Sequence, residues 1–168
     1  TLRMAYPSSG QDKKAIPVLK QAVERDAALA PAWLFLGASL ARSGDPAGAI
    51  DPLKKYLKPN PRDVSARQIL AQALFDTGRL EEAAAEFRSL HETNPQEPGF
   101  LFGLGKAYEG LAQQLFEKLP DEGPQSAYFL SLIGETRLLQ QQYRAAFFFY
   151  RQALEREPGL RGVHATVA

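Results

Sequence analysis

The stretch AWLFLGASLARSGDPAGAIDPLKKYLKPNP, Ala32 to Pro61, reads as two amphipathic helices joined by a turn that contains Gly44. It is also a ruler for what surrounds it. Leu36 recurs as Leu70 and Leu104, and Leu40 as Leu74 and Tyr108. Gly44 recurs as Gly78, Ala49 as Ala83, Leu53 as Phe87 and Pro61 as Pro95, every step being 34 residues. A fixed period of this length predicts stacked helical hairpins, because one hairpin alone cannot bury its apolar face.

Running the ruler backwards puts Leu2, Tyr6, Gly10, Ala15, Leu19 and Ala22 in the slots of Leu36, Leu40, Gly44, Ala49, Leu53 and Tyr56. The expectation is a partial unit over 1–29, in which Thr1–Tyr6 is the remnant of a first helix, PSSGQ a turn and Lys13–Asp26 the second helix. Units over 30–63 and 64–97 follow, each closed by a proline that ends its second helix without harm.

The third unit, 98–126, breaks the rhythm. Ala112, Phe116, Leu119 and Pro124 follow Ala83, Phe87, Leu90 and Pro95 by 29 residues, so five residues are missing between Tyr108 and Ala112. Either Gly110 makes a very tight reversal, or the two helices fuse. The uninterrupted stripe Leu101, Leu104, Tyr108, Leu111, Leu115 and Leu119 favours fusion into one helix from about Gly99 to Leu119. A lone glycine costs such a helix only about 1 kcal/mol. The last complete unit is 127–160, and 161–168 reads as the start of a further helix. Both ends read as boundaries of a fragment.

Composition narrows the function. With 20 basic and 19 acidic residues the net charge is +1, which leaves no electrostatic footprint for nucleic acid. There are no cysteines, so disulfides and thiolate metal sites are excluded. The longest apolar run, Ala145–Tyr150, falls far short of the roughly 20 residues of a membrane span. No secretory signal opens the chain, and the compartment, cytoplasm or periplasm and beyond, stays open.

Taken together, the residues at these slots resemble the tetratricopeptide repeat. Trp33, Leu36, Gly37, Leu40, Ala49 and Pro61 sit in the family's signature slots. Leu70, Ala71, Leu74, Ala83, Phe87 and Pro95 repeat them, and Ile133, Gly134, Ala146, Tyr150 and Pro158 do so again. The resemblance spans essentially the whole chain, and implies an all-α fold: a single superhelical solenoid of antiparallel helix pairs, part of a larger bacterial protein. Arg67 departs from the Trp-like slot and Arg137 from the Tyr-like slot. Gly37, Ala71, Gly105 and Gly134 are expected to be small because the helices of a pair touch there, and Trp33 to be a packing residue.

Catalytic patterns are poor. His91 and His164 are the only histidines and neither belongs to a spaced ligand set. FGLGKAYEG has neither the glycine spacing nor the Ser/Thr of a phosphate loop. Glu81–Glu82 and Asp121–Glu122 read as charges near a helix start and in a solvated turn. No catalytic, cofactor-binding or metal site is expected.

The resemblance implies instead that the first helix of each pair lines a concave groove for an extended or helical peptide. The residues rotated onto that face are Leu34, Ala38 and Ala41, then Gln68, Gln72 and Phe75. Phe102, Lys106 and Glu109 follow, then Ser131, Glu135 and Leu138, with Tyr128 nearby. Phe75 and Phe102 can equally be packing residues between units. The carboxylate-clamp mode of the family is disfavoured, since Leu34 and Ala38 occupy slots that need polar groups. In Phe147–Tyr150, four consecutive aromatics cannot share one stripe, so Phe148 is expected to point outward, as a lone exposed residue or a self-association patch. The leading expectation is a non-catalytic scaffold that binds a protein or peptide segment. The rivals are an assembly module with weak homo-oligomerisation and a regulatory region of a larger enzyme.

Overall fold

A computed structural model describes residues 10–163, in eight helices: α1 (Gly10–Arg25), α2 (Ala30–Arg42), α3 (Pro46–Leu57), α4 (Val64–Asp76), α5 (Leu80–Thr93), α6 (Pro98–Glu122), α7 (Ala127–Leu139) and α8 (Tyr143–Arg156). The expected remnant at Thr1–Tyr6 and most of the expected terminal helix lie outside the described residues. Arg161–Val163 form a turn, not a helix. The fold is an α–α superhelix of the tetratricopeptide type. Its helices fall into two compact units, Thr1–Leu111 and Ala112–Ala168, with α6 running through the division.

In the first unit α2 packs on α3 and α4 on α5, while α1 lies on α2, α3 on α4, and α2 also touches α4. Leu53, Leu70, Leu74 and Leu90 are its largest wholly buried side chains. They are surrounded by Ala49, Ala66, Ala71 and Ala83, whose small volume lets the helices close to packing distance. Trp33 packs against this core as expected; its indole N–H donates to the Ala27 carbonyl at 2.9 Å and Lys55 Nζ sits 4.1 Å from the ring centre. Arg67, in the Trp-like slot, reaches across the pair: it bonds Glu86 at 2.5 Å and the Pro61 carbonyl at 2.6 Å. The departure is thus absorbed by an ion pair instead of an aromatic contact.

The hairpin turns share one construction. Asp45 N–H bonds back to Leu40 O, Arg79 N–H to Leu74 O and Gln142 N–H to Arg137 O, each at 2.9 Å. This six-residue closure requires a left-handed residue just inside it. Gly44 (φ +90°), Gly78 (φ +74°) and Gln141 (φ +59°) supply it. Arg137, in the Tyr-like slot, donates to Gln140 and Gln142 across the last of these turns. Asp45, Asp63 and Ser126 cap α3, α4 and α7, each accepting a hydrogen bond from the backbone N–H three residues on.

No turn interrupts α6. It passes through Gly110 as one helix, as the apolar stripe predicted. Gly103 and Gly110 lie against α5: a Cβ on Gly103 would fall 2.6 Å from the Phe87 ring, and one on Gly110 2.7 Å from Leu80. Gly105 differs from the expectation. A Cβ there would meet nothing within 4 Å, whereas one on Gly37 would meet Leu53 and one on Gly134 would meet Tyr150. The reason is geometric: its unit has no second helix folded back against it.

In the second unit α7 packs on α8 around Ala127, Leu130, Ala146, Tyr150, Ala153, Leu160 and Val163. Phe149 joins this core, while Phe148 is exposed as expected, together with Phe147.

Candidate protein-binding surface

In the second unit the three residues expected to face a partner come together. Tyr128, Ser131 and Glu135 lie on successive turns of α7 and line one open groove of roughly 530 Å³. Its apolar wall is Phe116 and Leu119 from the C-terminal half of α6, with Leu132 beside them. Its far rim is the chain leaving α8: Glu157, Gly159, Leu160 and Arg161. Tyr128 is fastened to that rim, its hydroxyl donating to Glu157 Oε1 at 3.1 Å, and this bond to a carboxylate raises the phenol pKa above its ordinary value. An aromatic face, apolar floor and carboxylates beside a guanidinium can seat an amphipathic segment of protein. Helical periodicity pointed to the α7 residues. It carried no signal for Glu157 and Arg161, which reach the groove only because α8 runs back antiparallel to α7.

In the first unit the expected residues are more scattered in character. Gln68 and Gln72 are exposed, and Gln72 donates to Asp76 at 2.8 Å on its own helix. Phe102 is 57% exposed and Lys106 is exposed, paired with Glu109. Leu34 and Phe75 are half-buried and pack against the first core, and Ala38 is buried, so these three contribute to helix packing. A second groove, between α1 and α2, escaped the sequence reading. The buried Asp12 carboxylate there accepts from Ser39 at 3.2 Å and from Arg42 at 2.6 Å, below the exposed ring of Phe35. This salt bridge is the main reason that the Arg42 pKa is raised.

Reactive groups are sparse. Among the described residues no three His, Asp or Glu side chains are grouped to hold a metal ion. No helix among them is long and apolar enough to cross a membrane. His91 is half-buried on α5.

Repeated helical hairpins that present side chains of their first helices define the class: a helical-repeat protein of the scaffold type. Within it the chain belongs to the tetratricopeptide repeat family, whose models match residues 9–64 and 40–101. Solved structures share the fold. A crystal structure of MamA superposes with a TM-score of 0.57 at 23% identity over 89% of this chain and 90% of that one. MamA from Desulfovibrio magneticus RS-1, from its residue 41 to the end, gives 0.56 at 20% identity over 91% and 89%. YrrB, described as a TPR protein with an unusual peptide-binding site, gives 0.53 at 19% identity over 94% and 84%. At these identities the likeness is one of fold. No curated protein matches the chain by sequence. The family's members are protein-interaction scaffolds that bind protein or peptide partners.

Proposed function

We propose that this chain is a non-catalytic scaffold that captures a protein segment on the face presented by its first helices, with the α6–α7–α8 groove as the main anchor. The observation that carries the reading is the convergence of Tyr128, Ser131 and Glu135 on one groove with an apolar wall. The near balance of charge, 20 basic against 19 acidic residues, favours a protein partner over nucleic acid. Gln68, Gln72, Phe102 and Lys106 offer a second, more polar set of contacts in the first unit. Leu34 and Phe75 pack against the first core instead.

The test is selection of peptides from a displayed random library on the parent chain, followed by titration of the best binder. Tyr128→Ala with Glu135→Ala should weaken binding at least about tenfold, roughly 1.4 kcal/mol, with helicity retained. Unchanged affinity in that variant would remove the groove from consideration.

A further inference from the structure

We propose that the segment captured by this groove is residues 98–110 of a second copy of the same chain, so that two copies pair by exchanging halves of the third repeat. The proposal rests on the groove reading above and names its occupant.

The argument begins with the spacing inside each hairpin. Gly37 meets Leu53 and Gly134 meets Tyr150, both 16 residues further on. In the third unit, five residues short, the matching partner of Gly105 is Phe116. The two lie on one continuous helix, 11 residues and about 16 Å apart along its axis. They cannot touch within a chain.

Both halves of the missing contact are accordingly uncovered. On the first half of α6, Leu101 is 52% and Tyr108 45% exposed, and Gly105 faces open space. On the second half, Leu115 is 64% and Phe116 49% exposed. The slots of Gly105 and Phe116 are buried in the other repeats, as Gly37 with Leu53, Ala71 with Phe87 and Gly134 with Tyr150.

The groove has the lining that a first helix would need. Within the first unit, α2 packs on its own second helix, α3, and also on the next first helix, α4. The groove offers the same two neighbours: Phe116 and Leu119 from the second-helix half of α6, and Ser131, Leu132 and Glu135 from the next first helix, α7. Residues 98–110 of another copy would continue that pattern.

The exchange is self-complementary. If Gly105 of one copy faces Phe116 of the other, Phe116 of the first faces Gly105 of the second, which is a closed two-fold pairing. Lys106 then falls two residues from the position opposite Glu117, a favourable charge match. A shortened hinge that cannot reverse is a known route to such exchange.

Light scattering and sedimentation should give the parent chain a dimer mass at concentrations up to about 100 µM, where even micromolar dimers are populated. Gly105→Leu should halve that mass without loss of helicity, because its side chain enters open space in a single copy but collides with Phe116 across the pair. Inserting a copy of Asp76–Leu80 between Glu109 and Gly110 restores a turn, and should also yield a monomer by letting each chain satisfy both faces itself. A dimer that survives Gly105→Leu, or is lost only with Phe148→Glu, would overturn the proposal. A parent that stays monomeric while selected peptides still bind through Tyr128 would overturn it too, leaving the groove reading intact.

Discussion

A Cβ built on Gly37 lies 2.6 Å from Cγ of Leu53, a side chain with no exposed surface. The branch point of a wholly buried leucine has nowhere to go, so this helix pair is closed to any side chain larger than hydrogen. Gly37→Ala should therefore destabilise the chain by about 1–3 kcal/mol. Gly105→Ala, the same change at the equivalent slot of the third repeat, should be neutral or stabilise a single copy by up to about 1 kcal/mol through helix propensity. Urea denaturation of the two variants side by side checks this; equal losses would contradict the open environment of Gly105.

Gln141 occupies the left-handed turn position that Gly44 and Gly78 hold elsewhere, at φ +59°. A side chain there costs roughly 1–2 kcal/mol in backbone strain, and Gly returns most of it while adding freedom to the unfolded chain. Gln141→Gly should raise stability by about 0.5–1 kcal/mol, seen as a higher Tm by circular dichroism. Gly44→Ala should do the reverse.

Asp63 caps α4 and ties it to α3. Its carboxylate accepts from Ala66 N–H at 2.9 Å and from the Tyr56 hydroxyl at 2.7 Å, and these bonds, the backbone one foremost, hold its pKa below the usual range. A depressed carboxyl contributes stability that is present above its unfolded pKa of about 4 and is lost as pH falls through the lower folded value. The Tyr56 pKa is raised, chiefly by its bond to Asp63, so its share is present below about pH 10 and lost as pH rises through the raised folded value. Asp63→Ala should cost about 1 kcal/mol at neutral pH. It should also flatten the fall in stability below about pH 4, as measured by denaturation over an acid series.

Phe75 and Phe102 are the aromatics expected on the same face in consecutive repeats, Phe75 at its last position and Phe102 at its first, yet one is packed against the first core and the other is 57% exposed. Phe75→Ala should cost about 2–3 kcal/mol, toward the low end for a buried aromatic because the ring is only half covered. Phe102→Ala should stay within about 0.5 kcal/mol. Thermal melts decide it, and only Phe102 is then a clean probe of partner binding in the first unit.

The repeat family, the helix pairing and the fusion of the third unit's helices were legible in the chain, because each follows from period and residue volume. Thirty-four-residue spacing sets which slots must be small or bulky, and 29-residue spacing with an unbroken apolar stripe from Leu101 to Leu119 favours one helix over a tight reversal. The α7 face of the groove was legible for the same reason, since residues three or four apart share a helix face.

What spacing could not carry is any relation made by chain reversal or by its failure. Glu157 meets Tyr128 across 29 residues only because α8 returns along α7. Leu34, Ala38 and Phe75 share the face of Gln68 by periodicity, but contact with neighbouring helices decides that they are covered and it is not. Gly105 shows the limit most plainly. Its slot calls for a close helix contact, and the fused helix carries Phe116, the residue that would make it, about 16 Å along the same axis.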